Sequence, residues 1–174
     1  MLKKHWGLGL ILGVLILFQG CDEVGLLDRQ LFVGKPFPDM KLVTYDNEPF
    51  RLDQLKGKVV VLKLWATWCL VCQQEAPHFL EFSKKLDDSV VVIAISVDQN
   101  LNSAREYLLD HPNSFLQLFD QSMVQTKTVL KVSVLPQVYI IDQAGILRYY
   151  EVGPVEWGDN EMLKTVKRLL DEAG

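Results

Sequence analysis

From residue 58 onward the chain alternates between nearly unbroken β-branched runs and stretches whose apolar residues recur every three or four positions. "KVVVLKLW" (Lys58 to Trp65) and "SVVVIAISV" (Ser89 to Val97) are of the first kind, the pattern of strands covered on both faces of a parallel sheet. Between them, Cys72, Ala76, Phe79, Leu80 and Leu86 fall on one side of a helix of roughly twenty residues. Together these segments make a βαβ unit, whose crossover should be right-handed. "NSAREYLLD" (Asn102 to Asp110) predicts a second helix, ended by His111-Pro112, and "FLQLF" (Phe115 to Phe119) a short strand. A further helix is expected over Met123 to Leu130. "QVYIID" and "ILRYYEV" read as two strands joined by a tight turn at Gly145, and Met162, Leu163, Val166, Leu169 and Leu170 mark a terminal amphipathic helix. Ahead of all this, "GKPFPDMKLVTYDNEPFRL" offers short extended stretches around a turn at Asp46-Asn47, with prolines excluding helix: an edge hairpin.

The first twenty residues follow a different pattern. A basic start, "MLKKH", leads into the uncharged run "WGLGLILGVLILFQG", with Gly20 just before Cys21. Fifteen residues fall short of the roughly 20 that span a bilayer as a helix, which favours a cleaved leader over a permanent span. The ending "LFQGC" resembles a bacterial lipoprotein signal, with Cys21 the acylated first residue of the mature chain. Phe18 departs from the smaller aliphatic usual at its place. An uncleaved anchor with an incidental Cys21 is the other reading, and both put the domain in an oxidising, extracytoplasmic space. The division expected is a signal peptide over 1–20, a tether over 21–33 and one domain over 34–174.

Charge narrows the partners. Taking Lys3 and Lys4 from the 18 basic residues leaves 16 against 22 acidic ones, a net charge of −6, which argues against a nucleic-acid surface.

Of three cysteines, setting Cys21 aside for lipid leaves Cys69 and Cys72 at Cys-x-x-Cys spacing. The strand ends at Trp65, "ATW" turns the chain, and Cys69 begins the helix. A helix start presents unpaired N–H groups and the positive end of the macrodipole, so a thiolate is favoured there. Cys69 is therefore the candidate nucleophile. Cys72, one turn on and on the same face, lies further in, where it can resolve a mixed disulfide. The spacing also permits a disulfide between the two without unwinding the helix.

The segments "LKGKVVVLKLWATWCLVCQQEAP", "GKPFPDMKLVTYDNEPFRLDQ" and "VSVLPQVYIIDQAGILRYYEVGP" resemble the thioredoxin-like proteins of the TlpA, ResA and CcmG group, bacterial membrane-tethered thiol:disulfide oxidoreductases. The resemblance runs from about Gly34 to the C-terminus. It implies an α/β thioredoxin fold, a central mixed sheet flanked by helices, with the N-terminal β-hairpin as an extension. By position, Cys69 becomes the exposed attacking thiol, Cys72 the resolving thiol and Pro136 a cis-proline facing them. Leu135 before it would offer its backbone to an extended substrate chain. Glu75 matches a carboxylate that the group uses near its thiols, positioned to move protons to or from Cys72; the alternative is a surface glutamate. Trp65, Trp68, Lys63 and Leu135 are the expected substrate-contacting or tuning positions.

Lys63 interrupts an apolar strand where the group commonly carries Asn, and burying a lysine unpaired is costly. Either it pairs with Glu75 behind Cys72, or it snorkels to the sheet edge. Leu70-Val71 lacks the proline many relatives place before the second cysteine, and Lys131 stands where Gly is usual.

The resemblance further implies a monomer with no cofactor beyond a Cys69–Cys72 redox disulfide. It implies protein disulfides as substrates, a membrane thiol reductase as electron donor and a role in cytochrome c biogenesis at the periplasmic face of the inner membrane. A different class stays open: the cysteine pair with a histidine, His78 being nearest, could carry Cu(I). No zinc-type set of four ligands is visible, and no Pro-x-x-x-Thr-x-x-Cys arrangement precedes Cys69, as a peroxidase would need.

Overall fold

The computed structural model describes residues 33–158 and 160–172. The expected leader, Cys21 and nearly all of the tether lie outside these. Among the described residues no helix is long and apolar enough to cross a membrane.

Seven strands form one mixed sheet. They are β1 (Lys41–Thr44), β2 (Pro49–Arg51), β3 (Val59–Trp65), β4 (Val90–Ser96), β5 (Leu116–Phe119), β6 (Gln137–Ile141) and β7 (Leu147–Val152), in the order β2-β1-β5-β4-β3-β6-β7. β3, β4 and β5 run parallel, while β6 and β7 on one side and the β1–β2 hairpin on the other are antiparallel. Asn47 turns that hairpin at φ 65°, a left-handed conformation that Asn tolerates. The hairpin extends the sheet beyond β5, as the N-terminal prolines and turn residues predicted.

Among the described residues four α-helices complete the fold: α1 (Leu70–Ser83), α2 (Leu101–Asp110), α3 (Val124–Thr128) and α4 (Asn160–Asp171). Because β3, β4 and β5 follow one another across the sheet, right-handed crossovers put α1 and α2 on the same face. Val59 and Val61 of β3 pack there against Phe79 and Phe82 of α1 and Met162, Val166 and Leu169 of α4. Val60, Leu62 and Leu64 point to the other face, against Met40, Leu42, Leu130 and Val132. All seven residues of β3 are buried, which is why its sequence shows no alternation.

Two helices differ from expectation. α1 has 14 residues rather than twenty; the chain turns over Lys84 to Leu86 to enter β4, and Phe82 joins the buried side while Leu86, beyond the helix end, packs partly buried against the same cluster. α3 is five residues long, not the eight of Met123 to Leu130. Asp120 accepts the N–H groups of Gln125 and Thr126 at its start, and Lys131, at φ 55°, turns left-handed just beyond its end. Lys131 thus holds the conformation for which glycine is the usual residue.

Candidate active site

β3 delivers the chain to the site. At its end the Trp65 carbonyl accepts from Val97 N–H, and residues 66–68 turn before α1. Asp98, only 4% exposed, holds this turn. Its carboxylate accepts the Thr67 N–H at 3.1 and 3.2 Å, the Thr67 hydroxyl at 2.7 Å and the Ser96 hydroxyl at 2.7 Å. Gln73 Nε2 donates to the Thr67 carbonyl from the helix side. The sequence reading passed over Asp98; an acidic residue just past the carboxyl end of a parallel strand was the signal, since that edge is where α/β sheets carry their sites.

Cys69 is the N-cap of α1: its Sγ accepts the Cys72 N–H at 3.2 Å, and its carbonyl accepts Gln73 N–H. The two sulfurs are bonded, with the Cα atoms 5.2 Å apart. Cys72 is 2% exposed and Cys69 8%. The expectation of a freely exposed Cys69 is thereby corrected. In the disulfide form its sulfur turns inward to Cys72 and packs in a cluster with Trp65, Ala66 and Leu135, leaving Cys69 only the more accessible of the two. The Leu135–Pro136 peptide is cis. Pro136 is buried, and its carbonyl accepts Gly153 N–H.

Lys63 and Glu75 meet behind this surface, Nζ to Oε2 at 2.9 Å, with side chains 4% and 8% exposed. Snorkelling to the sheet edge is excluded, because β3 is an interior strand with β4 and β6 on either side. A surface Glu75 is excluded too: its Oε1 accepts the Val155 N–H and the Trp157 indole N–H, closing a network across 80 residues of chain. The Lys63 ammonium also lies over the rings of Phe79 (5.1 Å) and Trp157 (5.5 Å). Burial pushes the Lys63 pKa down, and the Glu75 carboxylate offsets part of that.

The two tryptophans separate. Trp65 is buried against Tyr107, with ring centroids 5.2 Å apart, so the structure does not bear it out as a substrate contact. Trp68 is 61% exposed and Leu70 67%; with Val71 and Val134 they form the exposed apolar residues of the segments that carry the disulfide and the cis-proline. His78 is exposed on α1, and among the described residues no group of three or more His, Cys, Asp and Glu side chains is arranged to hold a metal ion.

A strand-turn-helix unit with a Cys-x-x-Cys disulfide at the helix start and a cis-proline loop packed against it, on a mixed sheet flanked by helices, defines a thioredoxin-like thiol:disulfide oxidoreductase. Residues 33–150 match the AhpC/TSA family, and the chain belongs to it. It is similar to the thioredoxin-like protein YneN of Bacillus subtilis, 30% identical over 88% of this chain and 92% of the relative. It is likewise similar to the thiol:disulfide interchange protein DsbE of Pseudomonas aeruginosa, 30% identical over 80% of this chain and 78% of DsbE. Among solved structures, the exposed lipoprotein thioredoxin of Streptococcus pneumoniae superposes with a TM-score of 0.63 at 28% identity, over 75% of this chain and 99% of that one.

Proposed function

We propose that the protein reduces disulfides in exported proteins at the periplasmic face of the bacterial inner membrane, held there through a lipidated Cys21 or an uncleaved N-terminal segment. The observation that carries the reading is the capping position of Cys69. A sulfur that already accepts a backbone N–H at the positive end of a 14-residue helix is stabilised as a thiolate once the disulfide opens.

In the reduced protein, the Cys69 thiolate attacks one sulfur of a client disulfide, and the other client sulfur leaves as a thiolate and takes up a proton. Cys72 then loses its proton and attacks Cys69 Sγ. The second client thiol is released and the Cys69–Cys72 disulfide forms, two electrons having passed to the client. A membrane thiol reductase restores the dithiol, and no cofactor beyond the cysteine pair is required. Glu75 is the acid–base group nearest in sequence to Cys72, and Lys63 fixes the position of its carboxylate. An extended client segment lies along the Leu135 backbone, its apolar side chains against Trp68, Leu70 and Val134. Relatives named for thiol:disulfide interchange support the exchange chemistry, and the resemblance to the ResA and CcmG group supports cytochrome c maturation as the setting.

The test is a trap. Cys72→Ser removes the resolving sulfur, so clients should accumulate as mixed disulfides on Cys69 and be released by dithiothreitol. The same recovery from a Cys69→Ser, Cys72→Ser double variant would mean that the captured proteins are not exchange intermediates.

A further inference from the structure

The strand that follows Pro136, "QVYII" (Gln137 to Ile141), is buried at all five positions, yet it opens on a carboxamide. Gln137 is only 6% exposed. Side chains alternate along a strand, so Gln137 and Tyr139 share one face of the sheet, beside Leu64 and Leu62 of β3 in the antiparallel register. Packing alone calls for an aliphatic residue there. A buried carboxamide costs stability unless its donor and acceptor are both paired.

Both are paired, and the pairing has one sense. Gln137 Nε2 donates to the Val134 carbonyl at 3.0 Å, and Gln137 Oε1 accepts the Tyr139 hydroxyl at 2.5 Å. A carbonyl can only accept, so the amide nitrogen must face Val134, and the phenol satisfies the far end of the side chain. One residue beyond Leu135, the Pro136 carbonyl accepts the Gly153 N–H. Leu135 therefore stands between two anchored carbonyls, and its own N–H and carbonyl make no hydrogen bond among the described residues. Ser133 and Val134 are exposed and Leu135 is half-buried, which leaves this loop open to a partner.

We infer that Gln137 is a positioning residue for client recognition: by holding the Val134 carbonyl from the core side, it keeps the free Leu135 N–H and carbonyl in one orientation, ready to pair with an extended polypeptide. The inference rests on the reading that the client lies along Leu135. Its hydrogen bonds reach the loop and the core, not the sulfurs, so Gln137 acts on the docking of a polypeptide and not on the exchange of sulfur itself. Without this bond the loop must be ordered each time a client binds, and that cost is taken from the affinity.

The test compares two disulfides that share a leaving group. One is a short uncharged peptide whose single cysteine is disulfide-bonded to thionitrobenzoate, and the other is the symmetric disulfide of thionitrobenzoate, which has no backbone to pair. In the reduced protein the Cys69 thiolate forms a bond to one sulfur of each and expels thionitrobenzoate, whose colour gives the rate. Gln137→Met should lower the ratio of the peptide rate to the small-disulfide rate by about tenfold. A merely structural role would move both rates together and leave the ratio alone. Tyr139→Phe, which removes the phenol but keeps the Val134 bond, should hold the ratio within about twofold of wild type. If Gln137→Met does not fold, the double variant with Tyr139→Phe, which removes both partners of the core hydrogen bond, takes its place and is compared with Tyr139→Phe alone. A peptide N-methylated on both sides of its cysteine separates the two ways of failing. If wild type discriminates against the methylated peptide and the Gln137 variant keeps the wild-type ratio, the role of Gln137 is overturned and docking along Leu135 stands. If wild type is indifferent to the methylation, no client pairs with Leu135, and both are overturned.

Discussion

Lys63 places a cation inside a fully buried interior strand, where desolvation of an isolated charge is prohibitive. The structure answers with one carboxylate and two aromatic faces, and Glu75 is in turn fixed by two donors from the 155–157 segment. Lys63→Met should therefore cost about 3–5 kcal/mol in urea unfolding, since it leaves Glu75 buried with an unmatched charge. Adding Glu75→Gln should restore most of that loss. The glutamine is neutral, and its carbonyl oxygen still accepts from Val155 and Trp157. Equal stability of the single and double variants would show that the charge is not what matters. Part of this was legible in the sequence: a lysine in an apolar strand and a glutamate one helical turn past Cys72 are both out of place unless they meet. Trp157 and Val155 were not, because the closure of the network depends on where the chain returns after β7.

At the scale of elements, the turn between β3 and α1 decides where Cys69 sits, and Asp98 supplies its anchor from the end of a different strand. Asp98→Ala strips the acceptor from a backbone N–H and two hydroxyls, at an expected cost of about 2–3 kcal/mol. The Thr67 amide should lose hydrogen-exchange protection and thiol exchange should slow, whereas Asp98→Asn, which keeps one carbonyl oxygen, should retain most of both. Unchanged protection at Thr67 in the alanine variant would rule out this anchoring. The strands, the order of helices and the hairpin were readable because burial on two faces and the turn residues each leave a strong local pattern. Helix ends were less so. α1 stops after Ser83 to let the chain reverse into β4, and α3 is confined between the Asp120 side chain and the left-handed Lys131, constraints that periodicity does not register.

Over the whole molecule, the sheet separates two chemistries: the face beneath α1, α2 and α4 carries the ion pair, and the opposite face carries a buried phenol. Tyr139 hydroxyl donates to Gln137 Oε1, and Gln137 Nε2 donates to the Val134 carbonyl, so a hydrogen-bond chain runs from the core to the cis-proline loop. Burial pushes the Tyr139 pKa well above its ordinary 10.0, and Tyr149 is pushed up to about 12 for the same leading reason. For a group whose pKa is raised on folding, the stabilisation is complete below the unfolded value and disappears as pH climbs toward the folded one. Stability should accordingly decline from about pH 10 upward, where the unfolded chain sheds a phenolic proton that the folded protein keeps. Tyr139→Phe deletes the hydroxyl and leaves Gln137 Oε1 without its donor, so the variant should be less stable at pH 7. Having one fewer phenol to ionise, it should also decline less steeply above pH 10. Urea midpoints at pH 7, 9, 10 and 11 should bring the two curves together at the alkaline end, and curves that stay parallel would show that the Tyr139 proton is not linked to folding.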